Sequence, residues 1–140
     1  KFGSDTAAAN GLDDYETGSF TATVGTTGTA PTISGTSSWT GYYTKVGAIV
    51  HVNCYISAVN ITNNGTGNTK ISGLPFNCKD RYTAITITHN TITADTIDNG
   101  FIQPNTSYFF PVQQDSTSGS APAQANSLYM MFAGTYLTDS

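Results

Sequence analysis

Apolar residues in this chain recur at every second position, in short runs separated by Gly, Pro and Asn. That period of two places successive side chains on opposite faces of an extended strand. The clearest run covers residues 48–59. Val50, Val52, Cys54, Ile56 and Ala58 fall on one face, and Ile49, His51, Asn53, Tyr55 and Ser57 on the other. This pattern predicts a central core strand. A first strand is expected at residues 19–24, where Phe20, Ala22 and Val24 alternate with hydroxyl residues, a short one at 31–34, and an aromatic one at 39–45. Gly41 and Gly47 bracket the last of these and should aim Tyr43 and Val46 at the core.

Asn63 to Asn68 reads as a turn with a favoured Asn-Gly pair, leading into residues 69–72 and a stop at Gly73-Leu74-Pro75, where Leu74 and Phe76 would plug the end of the core. Further strands are expected at 81–89, 91–97, 101–103 after an Asn99-Gly100 turn, 107–112 and 128–137. Residues 113–126 are polar and of low complexity, which suits a loop at a tip or a subunit boundary. Leu128-Tyr129-Met130-Met131-Phe132-Ala133 is apolar on both faces, as expected of a strand with its own core on one side and another layer on the other. Eight to ten short strands without a defensible helix give an all-β fold of β-sandwich or jelly-roll type.

Composition agrees. Charged residues make up 10% of the chain, against about 25% in ordinary globular proteins, and Thr, Ser, Asn and Gly replace them. The 140 residues suit one β domain over 12–140, with residues 1–11 as a connector from an upstream shaft. The net charge is −4 and the five Lys and Arg residues never cluster, which argues against nucleic acid. No run is long and apolar enough to insert into a membrane. Cys54 lies among apolar neighbours as a small hydrophobe, and it and Cys78 lack CxxC spacing, so both are expected to be free thiols.

Candidate chemistry is thin. Asp13, Asp14 and Glu16 are expected in solvated, capping or ion-pairing roles, with Lys45 or a neighbouring subunit's Lys79 or Arg81 as partners, and not as a glycosidase pair. The Asp95 to Gly100 run lacks the third-position oxygen of a calcium loop, and His51 and His89 have no HxH or HExxH partner. No GxSxG elbow is present. No metal, cofactor or catalytic residue is therefore expected. The aromatics carry more: sugar recognition stacks apolar ring faces on Tyr or Trp beside amide and hydroxyl hydrogen bonds. Tyr82, Asp98, Asn99, Gln103, Asn105 and Tyr108 are the candidate ligand-binding residues.

Three blocks in order, Leu12-Asp13-Asp14-Tyr15-Glu16-Thr17-Gly18-Ser19-Phe20-Thr21, Gly41-Tyr42-Tyr43-Thr44-Lys45-Val46-Gly47 and Ile71-Ser72-Gly73-Leu74-Pro75-Phe76, resemble the C-terminal modules of bacteriophage tail fibres and tailspikes. Thr17 and Ala22 depart from that family's usual Glu and Pro. The resemblance covers residues 12–76 and implies a homotrimer continuing from the fibre shaft of the same chain. It also implies a place on the virion tail, extracellular after release, and recognition of a bacterial surface polysaccharide or other host receptor. The alternative it implies is a purely structural module that trimerises and caps the fibre. Either way no enzymatic activity is expected.

Overall fold

The computed structural model describes residues 15–113 and 119–139. Asp13 and Asp14, the expected connector at 1–11 and part of the polar loop lie outside them. Nine strands and no helix are found among the described residues: β1 Tyr15–Thr26, β2 Thr32–Ser34, β3 Trp39–Val46, β4 Ile49–Asn63, β5 Thr69–Ser72, β6 Thr83–Thr88, β7 Asn99–Ile102, β8 Tyr108–Val112 and β9 Leu128–Leu137.

All pairings between these strands are antiparallel, in the order β4-β3-β1-β5-β8-β7-β6-β9, and β9 pairs back onto β4. The sheet thus closes on itself as an eight-stranded barrel, with β2 appended to the far end of β4. The fold is all-β, as the alternation requires; the two separate sheets of the expected sandwich or jelly roll are replaced by one closed sheet. Closure pairs most strand edges, which limits the main aggregation hazard of a β protein, although Tyr15–Ala22 of β1 have no ladder partner on the β5 side among the described residues.

The core is the inward half of each strand. Phe20, Ala22 and Val24 of β1, Val50, Val52, Cys54 and Ile56 of β4, Ile85 and Ile87 of β6, and Met130, Phe132 and Tyr136 of β9 are all buried. Phe132 joins opposite sides of the barrel, with its ring 4.8 Å from Phe109 and 6.3 Å from Phe20. Gly41 lies beneath the Phe20 ring, which a Cβ there would meet at 2.2 Å. Both cysteines are buried free thiols. Burial pushes the Cys54 thiol up to about 11 and raises the Tyr136 hydroxyl, which donates to the Phe76 carbonyl at 3.0 Å.

Several local expectations are corrected. Ala58 points outward: the β4–β9 register shifts between Ile56 and Val59, Ala58 takes a φ of 55°, and Val59 and Ile61 enter the core in its place. Such a bulge spends one extra residue and resets the parity of the strand. Val46 is exposed, because the Gly47-Ala48 reversal pairs it with Ile49 on the outer face, while Tyr43 packs edge-on against Phe76.

Residues 91–97 form no named strand. Asn90 caps a local turn there, accepting from the Ile92 amide at 3.0 Å and donating to the Thr93 hydroxyl and the Ile97 carbonyl. Asn99-Gly100 is not a turn but the start of β7; Gly100 is needed because a Cβ would lie 2.8 Å from the Phe110 carbonyl on the neighbouring strand. The described end of the polar loop is tied to the barrel, with the Thr69, Ala94 and Ile61 amides donating to the carbonyls of Ser120, Ala121 and Ala125.

Candidate functional site

The outward half of each strand divides the barrel into two walls. The wall made by β5, β8, β7 and β6 carries an aromatic stripe. Register places Ala84 opposite Phe101 and Phe101 opposite Phe110, and their shared parity turns these residues outward. Tyr82, just ahead of β6, packs edge-on to Phe101 at 5.6 Å. Phe101 lies 5.6 Å from Phe110, and Phe110 lies 5.3 Å from Tyr108. Four rings thus run across three adjacent strands.

Polar groups frame the stripe. The Tyr108 hydroxyl donates to Gln103 Oε1 at 2.9 Å, and the Lys70 ammonium stands 5.1 Å from the centre of the Tyr108 ring. Asn99 shares the outward parity of Phe101 and Gln103 along β7 and its extension, and its amide donates to Asp98 Oδ1 at 2.7 Å. Asn105 is exposed at the tip of the β7–β8 loop, with a φ of 60°. That loop is fixed to the barrel end, since the Asn105 amide donates to the Cys78 carbonyl and the Cys78 amide to the Thr106 carbonyl.

The six residues singled out in the sequence therefore divide. Tyr82, Gln103, Tyr108 and Asn99 share one outer wall, Asp98 borders it beyond the start of β7, and Asn105 stands at its loop end. Tyr82 is the most exposed of the large hydrophobic residues among those described, at 65%. Phe101 and Phe110, the rings that join Tyr82 to Tyr108, were not among the six; the cross-strand register that aligns them involves partners distant in sequence. Of the other aromatics, Trp39 is buried and donates to the Ser57 carbonyl at 2.7 Å, and Phe109 is in the core. Neither is open to a ligand.

The wall made by β1, β3, β4 and β9 is different in kind. Tyr15 pairs with Val46, Val46 with Ile49 and Ile49 with Leu137, so four exposed apolar side chains form one row across four strands. Tyr42 stands opposite Asn53, and Tyr55 opposite Met131. A shallow groove of about 330 Å³ opens where this wall meets β6, lined by residues that include Asn53, Tyr55, Thr88, Met131 and Ala133. Beside it, His89 stacks on Tyr129 at 4.1 Å and lies 6.2 Å from Tyr55. His51 contacts the Thr135 hydroxyl at 3.0 Å.

Charged residues flank the row from Tyr15 to Leu137 at the barrel end. Glu16 faces Lys45 across the β1–β3 ladder, but its carboxylate accepts from the Tyr43 hydroxyl, a bond that raises the Tyr43 pKa. Lys45 lies over the Phe76 ring instead. Lys79 pairs with Asp139 at 3.2 Å. Among the described residues no group of three or more His, Cys, Asp or Glu could hold a metal ion. No protein-family model, curated protein or solved structure matches this chain.

Proposed function

We propose that the chain is the distal module of a bacteriophage tail fibre or tailspike, works as a homotrimer on the virion, and holds a host-surface glycan on the β6-β7-β8 wall. The observation that carries the ligand half is the stripe Tyr82, Phe101, Phe110 and Tyr108, flanked by Gln103, Asn99 and Lys70. Ring faces take the apolar side of a sugar and the amides and ammonium take its hydroxyl or acidic groups. A shallow outer wall suits a polymer bound weakly at each subunit, with avidity supplied by several copies. The fibre assignment itself rests on the three sequence blocks. Within the structure these blocks are scaffold: Gly47 has a φ of 57° at the β3–β4 reversal, and Gly73, with a φ of 98°, leaves no room for a Cβ beside the Thr21 carbonyl.

A glycan array and a pull-down on bacterial cells, run with the wild-type chain and with Tyr82→Ala and Phe101→Ala, test this reading. Binding that both substitutions weaken supports it. Absence of binding to any surface polysaccharide or strain, or binding indifferent to both changes, overturns it. The second reading, a non-catalytic module that only trimerises and caps the fibre, draws on the exposed apolar row Tyr15, Val46, Ile49 and Leu137 across β1, β3, β4 and β9, and an assembled chain without any ligand would favour it.

A further inference from the structure

We infer that the groove between β4, β9 and β6 is a sugar subsite, and that it takes the N-acetyl group of a 2-acetamido sugar. The inference rests on the glycan half of the proposed function and extends it, from the aromatic stripe to a second site and from a glycan at large to one class of sugar.

Register sets Asn53, Ala133 and Thr86 in one outward row across three strands, and Tyr55, Met131 and Thr88 in the next. β9 is therefore the floor of the groove, with β4 and β6 as its sides. The recess exists because Ala133 offers only a methyl group between the longer side chains of Asn53 and Thr86. Its volume, about 330 Å³, lies at the small end of the range for ligand sites. The groove also continues the aromatic wall. The outward side chains of β6 are Ala84, Thr86 and Thr88, none tall enough to part the two, and Thr86 pairs with Asn99 on one side and Ala133 on the other. Two strand spacings, about 10 Å, separate Asn99 from the groove floor, a step that a chain of linked sugar rings bridges.

The lining selects the substituent. None of the groove residues carries a formal charge, so a carboxylate or sulfate would lose solvation there without a counter-ion. A bare hydroxyl set against Ala133 and Met131 would lose its water partners as well. A methyl group gains from the same surroundings. At the rim, Asn53, Thr86 and Thr88 are exposed. The Asn53 side chain both donates and accepts, as do the N–H and C=O of an acetamido group, so the two pair reciprocally. A 6-deoxy sugar would supply the methyl group but leave the Asn53 amide covered and unpaired, which is costly. Tyr55, half exposed and opposite Met131, gives the sugar ring an apolar edge.

Carbon-13 methyl NMR of the 140-residue chain, labelled in Met and Ala, tests the inference, since the Met131 and Ala133 methyl groups report on the groove itself. The probes are N-acetylglucosamine, N-acetylgalactosamine and N-acetylmannosamine, each against its parent hexose, with fucose and rhamnose as 6-deoxy controls. At least one acetamido sugar should shift both methyl signals and bind about tenfold more tightly than its parent, the scale of one buried methyl group and one hydrogen bond. Ala133→Leu, which fills the recess, should abolish that preference as read on Met131. Thr17→Leu, which adds similar bulk on β1, two strands from β4, should keep it. Far-UV circular dichroism confirms that both variants fold.

Acetamido and parent sugars that bind alike overturn the inference. So does a preference that survives Ala133→Leu, 6-deoxy sugars that match the acetamido ones, or no shift with any sugar. Glycan binding that Tyr82→Ala and Phe101→Ala weaken, with the Met131 and Ala133 signals unmoved, would sink the groove and leave the receptor reading intact. Acetamido binding in the groove that ignores both of those changes would uphold the subsite and sink the aromatic wall.

Discussion

The two walls of the barrel share one strand geometry and one core, yet their outward residues diverge. On β5, β8, β7 and β6, rings touch one another edge-on or tilted and are bordered by Gln103, Asn99 and Lys70. On β1, β3, β4 and β9, apolar side chains stand in an uncharged row from Tyr15 to Leu137. The inward half of each strand decides that a barrel forms, and the outward half is left to decide what each wall meets. One wall sets a connected aromatic stripe beside amides and an ammonium, and the other sets a row of apolar side chains among uncharged hydroxyl and amide residues such as Thr17, Thr44 and Asn53.

The largest expected effect erases the comparison. Phe132→Ala removes the ring that touches both Phe20 and Phe109, and should cost about 3 to 5 kcal/mol. Urea unfolding would show it, and both walls should fail together. If one wall's function survived such a loss, the walls would not share a cooperative core.

Gly73→Ala comes next. It forces a side chain into a φ of 98° and against the Thr21 carbonyl, which should cost about 2 to 3 kcal/mol. This too should appear in the urea midpoint, with β1 and β5 separating at the border between the walls.

Alkaline pH gives a smaller, graded effect. Burial pushes the folded Cys54 thiol from its ordinary 9.0 up to about 11. Between these values the unfolded chain loses the proton first, so stability falls as pH rises from 9 to 11 and is fully retained below 9. Cys54→Val should remove that component of the slope, read by urea unfolding at pH 8 and pH 10.5. A slope unchanged in the variant would assign it to Tyr43 and Tyr136, whose pKa values are also raised.

Tyr82→Ala should matter least to the fold. Its ring is 65% exposed and touches Phe101 alone among the aromatic partners, so the stability change should stay near 0.5 kcal/mol. A loss of glycan binding from that variant at unchanged stability would sharpen the division between scaffold and contact surface.

The sequence is most readable where pairing is uninterrupted. Val50, Val52, Cys54 and Ile56 alternate without a break and all are buried. The pattern misleads at Ala58, because one bulged residue inverts every later position without altering the composition of the strand. It misleads again at Asn99-Gly100, where a dipeptide typical of turns lies inside a ladder and the glycine serves close packing. At residues 91–97 apolar alternation is present, but Asn90 folds the segment onto itself.

Closure was not legible at all. Alternation tells which way a side chain points and not which distant strand lies beside it, so a sandwich and a barrel read alike. The candidate site was half legible for the same reason: Tyr82 and Tyr108 stand out as residues, but the Phe101 and Phe110 bridge between them exists only in the register of β6, β7 and β8.

The place of β9 has a consequence for the order of folding. It is the last of the strands among the described residues, and it sits between β4 and β6 as the stave that closes the barrel. A growing chain therefore holds two unpaired strand edges until residues 128–137 have left the ribosome. Contacts of such long sequence separation form slowly, and open edges of β4 and β6 invite pairing between nascent chains. If copies of this chain are made side by side, the interval before β9 arrives is when correct assembly and misassembly compete.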